Sequence, residues 1–165
     1  MFNKSVLAGF NDQITKEFYS AFVYLSMAAH FEEMNLPGFA HWMRLQYHEE
    51  LGHGNRLFDL VLNGGGKVEL EAIDKPPSGF GGALSVMKKA LAHEQSVTKS
   101  INDLYELTLK EKNYPAQLEI QWFIGEQAEE EKTVTDIVAQ LEMVGDNKPA
   151  LLVLDHQMAG RSATE

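Results

Sequence analysis

The spacing of the chain breaks constrains the fold of this sequence more than any other feature. Four long stretches carry apolar residues at helical spacing, and glycine- or proline-containing breaks separate them at residues 35–38, 64–82 and 112–115. A short apolar segment follows residues 145–149. The predicted helices therefore span about residues 5–34, 37–63, 83–111, 115–144 and 149–158.

The lengths of the connections predict how these helices pack. A short connection joins antiparallel neighbours, whereas the middle one, of nearly twenty residues, is long enough to cross the whole bundle. The second and third helices can then run parallel. We expect an all-α four-helix bundle with one long crossover between the second and third helices and a short fifth C-terminal helix, forming one domain over residues 1–165.

Two polar residues interrupt the apolar stripe of the second helix. Glu50 and His53, three residues apart, point into its centre. The apolar members of that stripe are Phe39, Trp42, Met43, Leu57, Leu60 and Val61. Burying a carboxylate beside an imidazole costs several kcal/mol unless something compensates them. A metal cation would do so.

The other three helices repeat this pattern near their midpoints. By the same periodicity, the polar residues on apolar stripes are Glu17 in the first helix, with Tyr24 at the stripe's edge, Glu94 in the third, and Gln127 and Glu130 in the fourth. All could meet in one layer of the bundle. Carboxylates and one imidazole, without a thiolate, suit iron or manganese, with zinc as a competitor.

Simpler interpretations exist for each residue taken alone. A single glutamate on an apolar stripe is often a boundary residue that reaches solvent, and a single histidine is often a hydrogen-bonded core residue. The acidic run Glu126, Glu129, Glu130 and Glu131 could be a solvated face. A structural bundle whose buried carboxylates bridge through water also stays open. The coincidence across four helices favours the metal site.

Composition narrows the class of protein. Because the 165 residues include no cysteine, disulfides, thiolate metal sites and cysteine nucleophiles are excluded. The net charge of −10 argues against direct nucleic-acid binding. No apolar run is long enough for a membrane span and no signal segment is present, so we expect a cytoplasmic protein without membrane partners.

These residues together resemble the bacterial non-haem ferritins over almost the full chain. The marks of the resemblance are Glu17, Tyr24, Glu49-Glu50-x-x-His53, Glu94, Trp122 and Glu126-Gln127-x-Glu129-Glu130. Ferritin-like di-iron proteins place one glutamate on each of two helices and a Glu-x-x-His on each of the other two. Here Gln127-x-x-Glu130 replaces the second Glu-x-x-His.

The resemblance implies a catalytic site for two irons. Glu17, Glu50 and His53 would hold the first iron, and Glu50 would bridge to a second that Glu94 and Glu130 complete, with Gln127 close by. Tyr24 would hydrogen-bond the site and could supply an electron. A third iron site would map to Glu49, Glu126, Glu129 and Glu130.

The implied function is iron storage. Such a ferroxidase oxidises Fe(II) with dioxygen or hydrogen peroxide and keeps Fe(III) as a mineral inside a hollow homo-oligomeric shell of twenty-four subunits. Bacterioferritins need a haem-ligating methionine where this chain has Gly52, so we predict no haem. The alternatives are a di-iron oxygenase or peroxidase and a non-catalytic metal-binding helical bundle.

Two further expectations concern the remaining segments. The apolar run Leu151-Leu152-Val153-Leu154 either folds back on its own bundle or, as the resemblance implies, packs around a four-fold axis of the shell. The other histidines are expected at the surface or at interfaces: His30, His41, His48, His93 and His156.

Overall fold

The computed structural model describes residues 2–163 and contains five helices within that range. They are α1 (Lys4–Glu33), α2 (Pro37–Asn63), α3 (Ala83–Lys110), α4 (Tyr114–Val144) and α5 (Lys148–Met158). Their ends differ from the predicted ones by at most one residue. The prediction of an all-α four-helix bundle with a short fifth helix is confirmed.

Local sequence chemistry explains where three of the helices begin. An asparagine precedes each of them, and its side-chain oxygen accepts a hydrogen bond from the backbone N–H three residues further on. These caps are Asn3 for α1 (2.9 Å), Asn113 for α4 (3.2 Å) and Asn147 for α5 (3.0 Å). Proline at the first or second position of α2, α4 and α5 also fits a helix start, where a missing N–H costs nothing.

The crossover at residues 64–82 runs back along α1. Near the start of α1, the Asn11 side chain donates to the Lys67 carbonyl (3.1 Å) and accepts from the Glu69 N–H (3.0 Å). Near its end, Ser26 Oγ donates to the Pro77 carbonyl (2.7 Å). Because α3 therefore begins at the same end of the bundle as α2, these two helices are parallel. This agrees with the predicted topology.

The hydrophobic core has two halves, with a polar layer between them. One half lies near the start of α2 and contains the stacked rings of Phe31 and Phe39, whose centroids are 4.9 Å apart. The other lies near the start of α1, around Phe10, Leu57 and Phe123. On every helix of the bundle the buried carboxylates lie between these halves. The layer thus sits at mid-height, as the periodicity predicts.

Helix α5 packs against α2 and α4 of its own chain. The Asp155 carboxylate accepts a hydrogen bond from the Phe39 N–H (2.9 Å), so it caps the start of α2 from a distant part of the chain. On the other side of α5, Leu152 and Val153 are 59% and 60% exposed. One face of α5 folds back on its own bundle, and the other leaves apolar side chains for a second surface. No helix within residues 2–163 is long and apolar enough to cross a membrane.

Candidate metal centre

Three of the predicted ligands form one compact group. Glu17 comes from α1, and Glu50 and His53 lie one turn apart on α2. Each offers a ligand atom, and these atoms lie within 4.8 Å of one another. All three side chains are buried, Glu50 completely. A carboxylate pair with one imidazole at this spacing could hold a divalent cation.

The hydrogen bonding of this group is incomplete. Gln13 Nε2 donates to Glu17 Oε1 (2.8 Å), and His53 Nδ1 lies 3.4 Å from Glu50 Oε2. Among the described residues, the buried atoms Glu17 Oε2 and Glu50 Oε1 have no hydrogen-bond partner. Since a buried oxygen without a partner is costly, these two atoms mark a place where a cation or a shared proton is needed.

The other half of the layer is held by amides and a phenol. Tyr24 donates its hydroxyl hydrogen to Glu94 Oε1, and Gln127 Nε2 donates to Glu94 Oε2 (3.1 Å). On the α4 side, Gln46 Nε2 donates to Glu130 Oε2 (2.8 Å). The carboxyl groups of α3 and α4 are therefore oriented by neutral donors, which do not neutralise the negative charge that these groups carry when ionised.

Electrostatics joins the two halves into one unit. Burial raises the pKa of Glu50 well above its ordinary value, and the charges of Glu17, Glu94 and Glu130 raise it further. Burial likewise raises the pKa of Glu94 to about 7 and that of Glu130 to about 8. The pKa of Tyr24 is also raised well above 10, mainly by burial. Without a metal, this layer retains protons near neutral pH.

A cleft of about 1460 Å³ between α2 and α4 adjoins this layer. The residues predicted for a third metal site line this cleft: Glu49, Glu126, Glu129 and Glu130. Within the part of the chain that the structure describes, they do not form a group as compact as Glu17, Glu50 and His53. Glu130 and His53 border the cleft as well as the buried layer. A cation in the cleft would therefore be next to the buried carboxylates.

Comparison with known proteins identifies the family to which this fold belongs. A family model described as the ferritin-like domain matches residues 7–144. The chain belongs to the ferritin family. It is similar to bacterial non-heme ferritins of Staphylococcus haemolyticus (33% identical, covering 100% of this chain and 99% of the relative) and of Bacteroides fragilis (34%, covering 98% and 100%).

Solved structures give the same result for this ferritin. An open pore ferritin from the archaeon Archaeoglobus fulgidus is 40% identical, covers 98% of this chain and 100% of that one, and superposes with a TM-score of 0.97. A closed form engineered from the same archaeal ferritin is also 40% identical, covers 99% and 100%, and has a TM-score of 0.98. The resemblance inferred from the sequence is confirmed.

Sequence reasoning missed several residues that support the site in this ferritin. Gln13 and Gln46 are buried, and each lies four residues before a predicted ligand on the same helix face, Glu17 and Glu50 respectively. That spacing is a signal that could have found them. Arg161, which contacts Glu49, lies beyond α5, where helical periodicity carries no information.

His93 is less exposed than we expect from the sequence. Its ring packs edge-on against Tyr24, with centroids 6.2 Å apart, and Nε2 lies 2.8 Å from Ser20 Oγ. Burial lowers the pKa of His93 to about 4, so the ring is neutral at physiological pH. It belongs to the packing around Tyr24 rather than to a solvated face.

Proposed function

We propose that this chain is the subunit of an iron-storage ferritin that oxidises Fe(II) and deposits Fe(III) as a mineral inside a hollow homo-oligomeric shell of twenty-four copies. The observation that carries the proposal is the pair of buried oxygens of Glu17 and Glu50, beside His53, that have no hydrogen-bond partner in residues 2–163. Hard oxygen donors with one imidazole suit iron. Membership of the ferritin family supports the same function.

The proposed ligand sets follow from the two halves of the layer. Glu17, Glu50 and His53 bind one Fe(II), and Glu94 and Glu130 bind the second. Glu50 lies between them, which its electrostatic interaction with all three other glutamates supports. Gln127 orients Glu94 beside the second iron. With a glutamate where a second histidine would stand, the second iron is held by carboxylates alone, so its Fe(III) product can leave.

The chemistry is a two-electron oxidation. Two Fe(II) ions each give one electron to a single dioxygen, which takes up two protons and leaves as hydrogen peroxide. Hydrogen peroxide as the oxidant takes two electrons and two protons and yields two waters. The protonated carboxylates of the metal-free layer lose their protons when Fe(II) binds. Tyr24, hydrogen-bonded to Glu94, holds this carboxylate in place and could supply an electron.

The cleft between α2 and α4, which several glutamates line, offers the Fe(III) product a route away from the two-iron centre. We propose a third iron site formed by Glu49, Glu126, Glu129 and Glu130, because all four border the cleft next to the buried layer. Glu130 would be shared by the second and third irons. We do not expect residue 52 to bind a haem, because a glycine has no side-chain atom that could ligate the haem iron.

Aerobic addition of Fe(II) to the purified metal-free protein tests the proposal. Wild type should form a ferric product that absorbs in the ultraviolet and stays with a large spherical particle. Glu50→Ala and His53→Ala should abolish rapid oxidation in shells of unchanged size, while His48→Ala, at an exposed position of the same helix, should leave the rate unchanged. Unchanged rates in both site variants, or a ferric product that separates from the protein, would refute the proposal.

A further inference from the structure

The residue that follows the turn after α5 reaches into the acidic cleft. Arg161 Nη2 donates to Glu49 Oε2 (2.7 Å), and Nη1 donates to Gln46 Oε1. Its guanidinium also lies over the ring of Trp42, 4.7 Å from the centroid. The Arg161 carbonyl accepts a hydrogen bond from His41 Nε2 (2.9 Å), which holds the backbone of the segment after α5 in place.

Through Gln46, this contact extends to the buried layer. The Gln46 side chain is fully buried, accepts from Arg161 with its oxygen, and donates to Glu130 Oε2 (2.8 Å) with its nitrogen. Since a guanidinium can only donate, it fixes which end of the amide faces Glu130. The positive charge of Arg161 also lowers the pKa of Glu130, against the larger effect of burial. Arg161 therefore acts on Glu49 directly and on Glu130 through one amide.

We propose that Arg161 is a built-in counter-cation of the third iron site, which holds Glu49 and Glu130 in the metal-free subunit and competes with metal ions for Glu49. The inference rests on the proposed function, because the third site is part of it. A metal ion that binds Glu49 Oε2 must displace Nη2, and a metal ion bound through either oxygen of Glu49 is repelled by the guanidinium. Arg161 thus keeps the third site weak, which suits a site that passes iron onward.

Terbium binding to assembled, iron-free shells tests the role of Arg161 without any oxidation step. Tb³⁺ prefers oxygen ligands, and both tryptophans of the chain, Trp42 and Trp122, border the cleft and can sensitise its emission. We expect Arg161→Gln to bind Tb³⁺ roughly fivefold more tightly than wild type, about the effect of one lost competing ion pair at a partly buried site. A residue that only stabilised the fold would not strengthen metal binding when removed.

Two controls isolate the mechanism. Lys99→Gln removes the same charge from an exposed ion pair with Asp103 on α3, so it should leave the affinity unchanged. In a Glu49→Gln background, Arg161→Gln should have little further effect, because the group for which metal and arginine compete is gone. An affinity that Arg161→Gln leaves unchanged or weakens, or a tightening that persists in full with Glu49→Gln, would overturn the inference.

A variant at Glu129, which lines the cleft, distinguishes a failure of this inference from a failure of the proposed third site. Glu129→Gln should weaken the sensitised Tb³⁺ signal if the cleft is a metal site. Emission that depends on Glu129 but not on Arg161 overturns only the role of the arginine. Emission that depends on neither residue contradicts the third site and this inference, while the two-iron centre is judged separately by the Glu50→Ala and His53→Ala rates.

Discussion

Replacing Glu50 by glutamine should make the metal-free protein more stable and abolish its stabilisation by metal. Glu50 is fully buried, and burial together with three neighbouring carboxylates opposes its ionisation. Within the described residues, Glu50 Oε1 and Glu17 Oε2 both lack a hydrogen-bond partner. The carboxyl group of Glu17 lies within hydrogen-bonding reach of Glu50. A glutamine amide carries no charge and can donate to the Glu17 oxygen.

The size of the effect follows from these unsatisfied atoms. A buried polar atom without a hydrogen bond costs about 1–3 kcal/mol. In wild type the proton that burial keeps on Glu50 already meets part of this cost, so the expected gain is about 2 kcal/mol rather than the sum for both atoms. For a chain of this length each kcal/mol shifts the melting temperature by roughly 2–4 °C, which predicts a rise of roughly 4–8 °C. The gain should grow with pH, because the unfolded wild-type chain releases the Glu50 proton near its ordinary pKa whereas burial retains it in the native state, and glutamine has no such proton to release.

Thermal melts of metal-free shells at a fixed scan rate measure this effect, with and without Zn²⁺. Zinc should raise the melting temperature of wild type and have little effect on Glu50→Gln. Glu142→Gln, which removes an exposed carboxylate paired with Lys88, should change stability by less than about 0.5 kcal/mol. Glu50→Ala leaves a cavity and an unpaired Glu17, so it should not stabilise. A metal-free Glu50→Gln shell that melts at or below wild type would show that the unpartnered oxygens carry no cost.

Three further predictions concern pH and the docking of α5. The metal-free protein should lose stability as pH rises from about 4.5 through about 8. The reason is that the unfolded chain releases the protons of Glu94 and Glu130 near 4.5, whereas burial retains them to about 7 and about 8 in the native state. Melting temperatures across this range should fall without metal and stay level with it, and a level metal-free profile would contradict the raised pKa values. Asp155→Ala removes the acceptor for the Phe39 N–H at the start of α2, so it should cost about 1 kcal/mol in chemical denaturation, with Asp155→Asn closer to wild type. Gly38→Ala places a Cβ 1.7 Å from the Asp155 carbonyl oxygen, so α5 must shift; faster proteolysis of the C-terminal segment than in wild type is expected, and an unchanged cleavage rate would argue that the close contact is absent.

Helical periodicity predicted the polar layer because the direction of a side chain on a helix depends only on its position along that helix. This is why Glu17, Glu50 and His53 could be assigned to one site before any contact was known, and the structure brings them together. Contacts between distant segments follow a different logic. The Gln46–Glu130 hydrogen bond joins residues 84 positions apart and depends on helix spacing and side-chain rotamers, which no local pattern encodes.

The start of α2 shows that capping residues in the sequence indicate some helix starts but not all of them. Asn3, Asn113 and Asn147 mark three helix starts in the sequence, whereas Leu36, before α2, makes no side-chain cap hydrogen bond. A helix start without a capping residue indicates that the donor groups find a partner elsewhere. The sequence does not tell which residue provides it, because Asp155 reaches the Phe39 N–H only after α5 has packed against α2.

The choice of glutamine as the supporting residue explains how the layer stays both ordered and reactive. Three amides from α1, α2 and α4 each donate one hydrogen bond to a carboxylate of the layer: Gln13 to Glu17 (2.8 Å), Gln46 to Glu130 (2.8 Å) and Gln127 to Glu94 (3.1 Å). A lysine or arginine at these positions would orient the carboxylates equally well but would also neutralise them, and the site would no longer need a metal. Neutral donors fix the geometry and leave the negative charge for iron. Within the described residues, Arg161 is the cation that hydrogen-bonds directly to one of these amides, and it does so from the cleft, where we propose that an arriving metal ion competes with it.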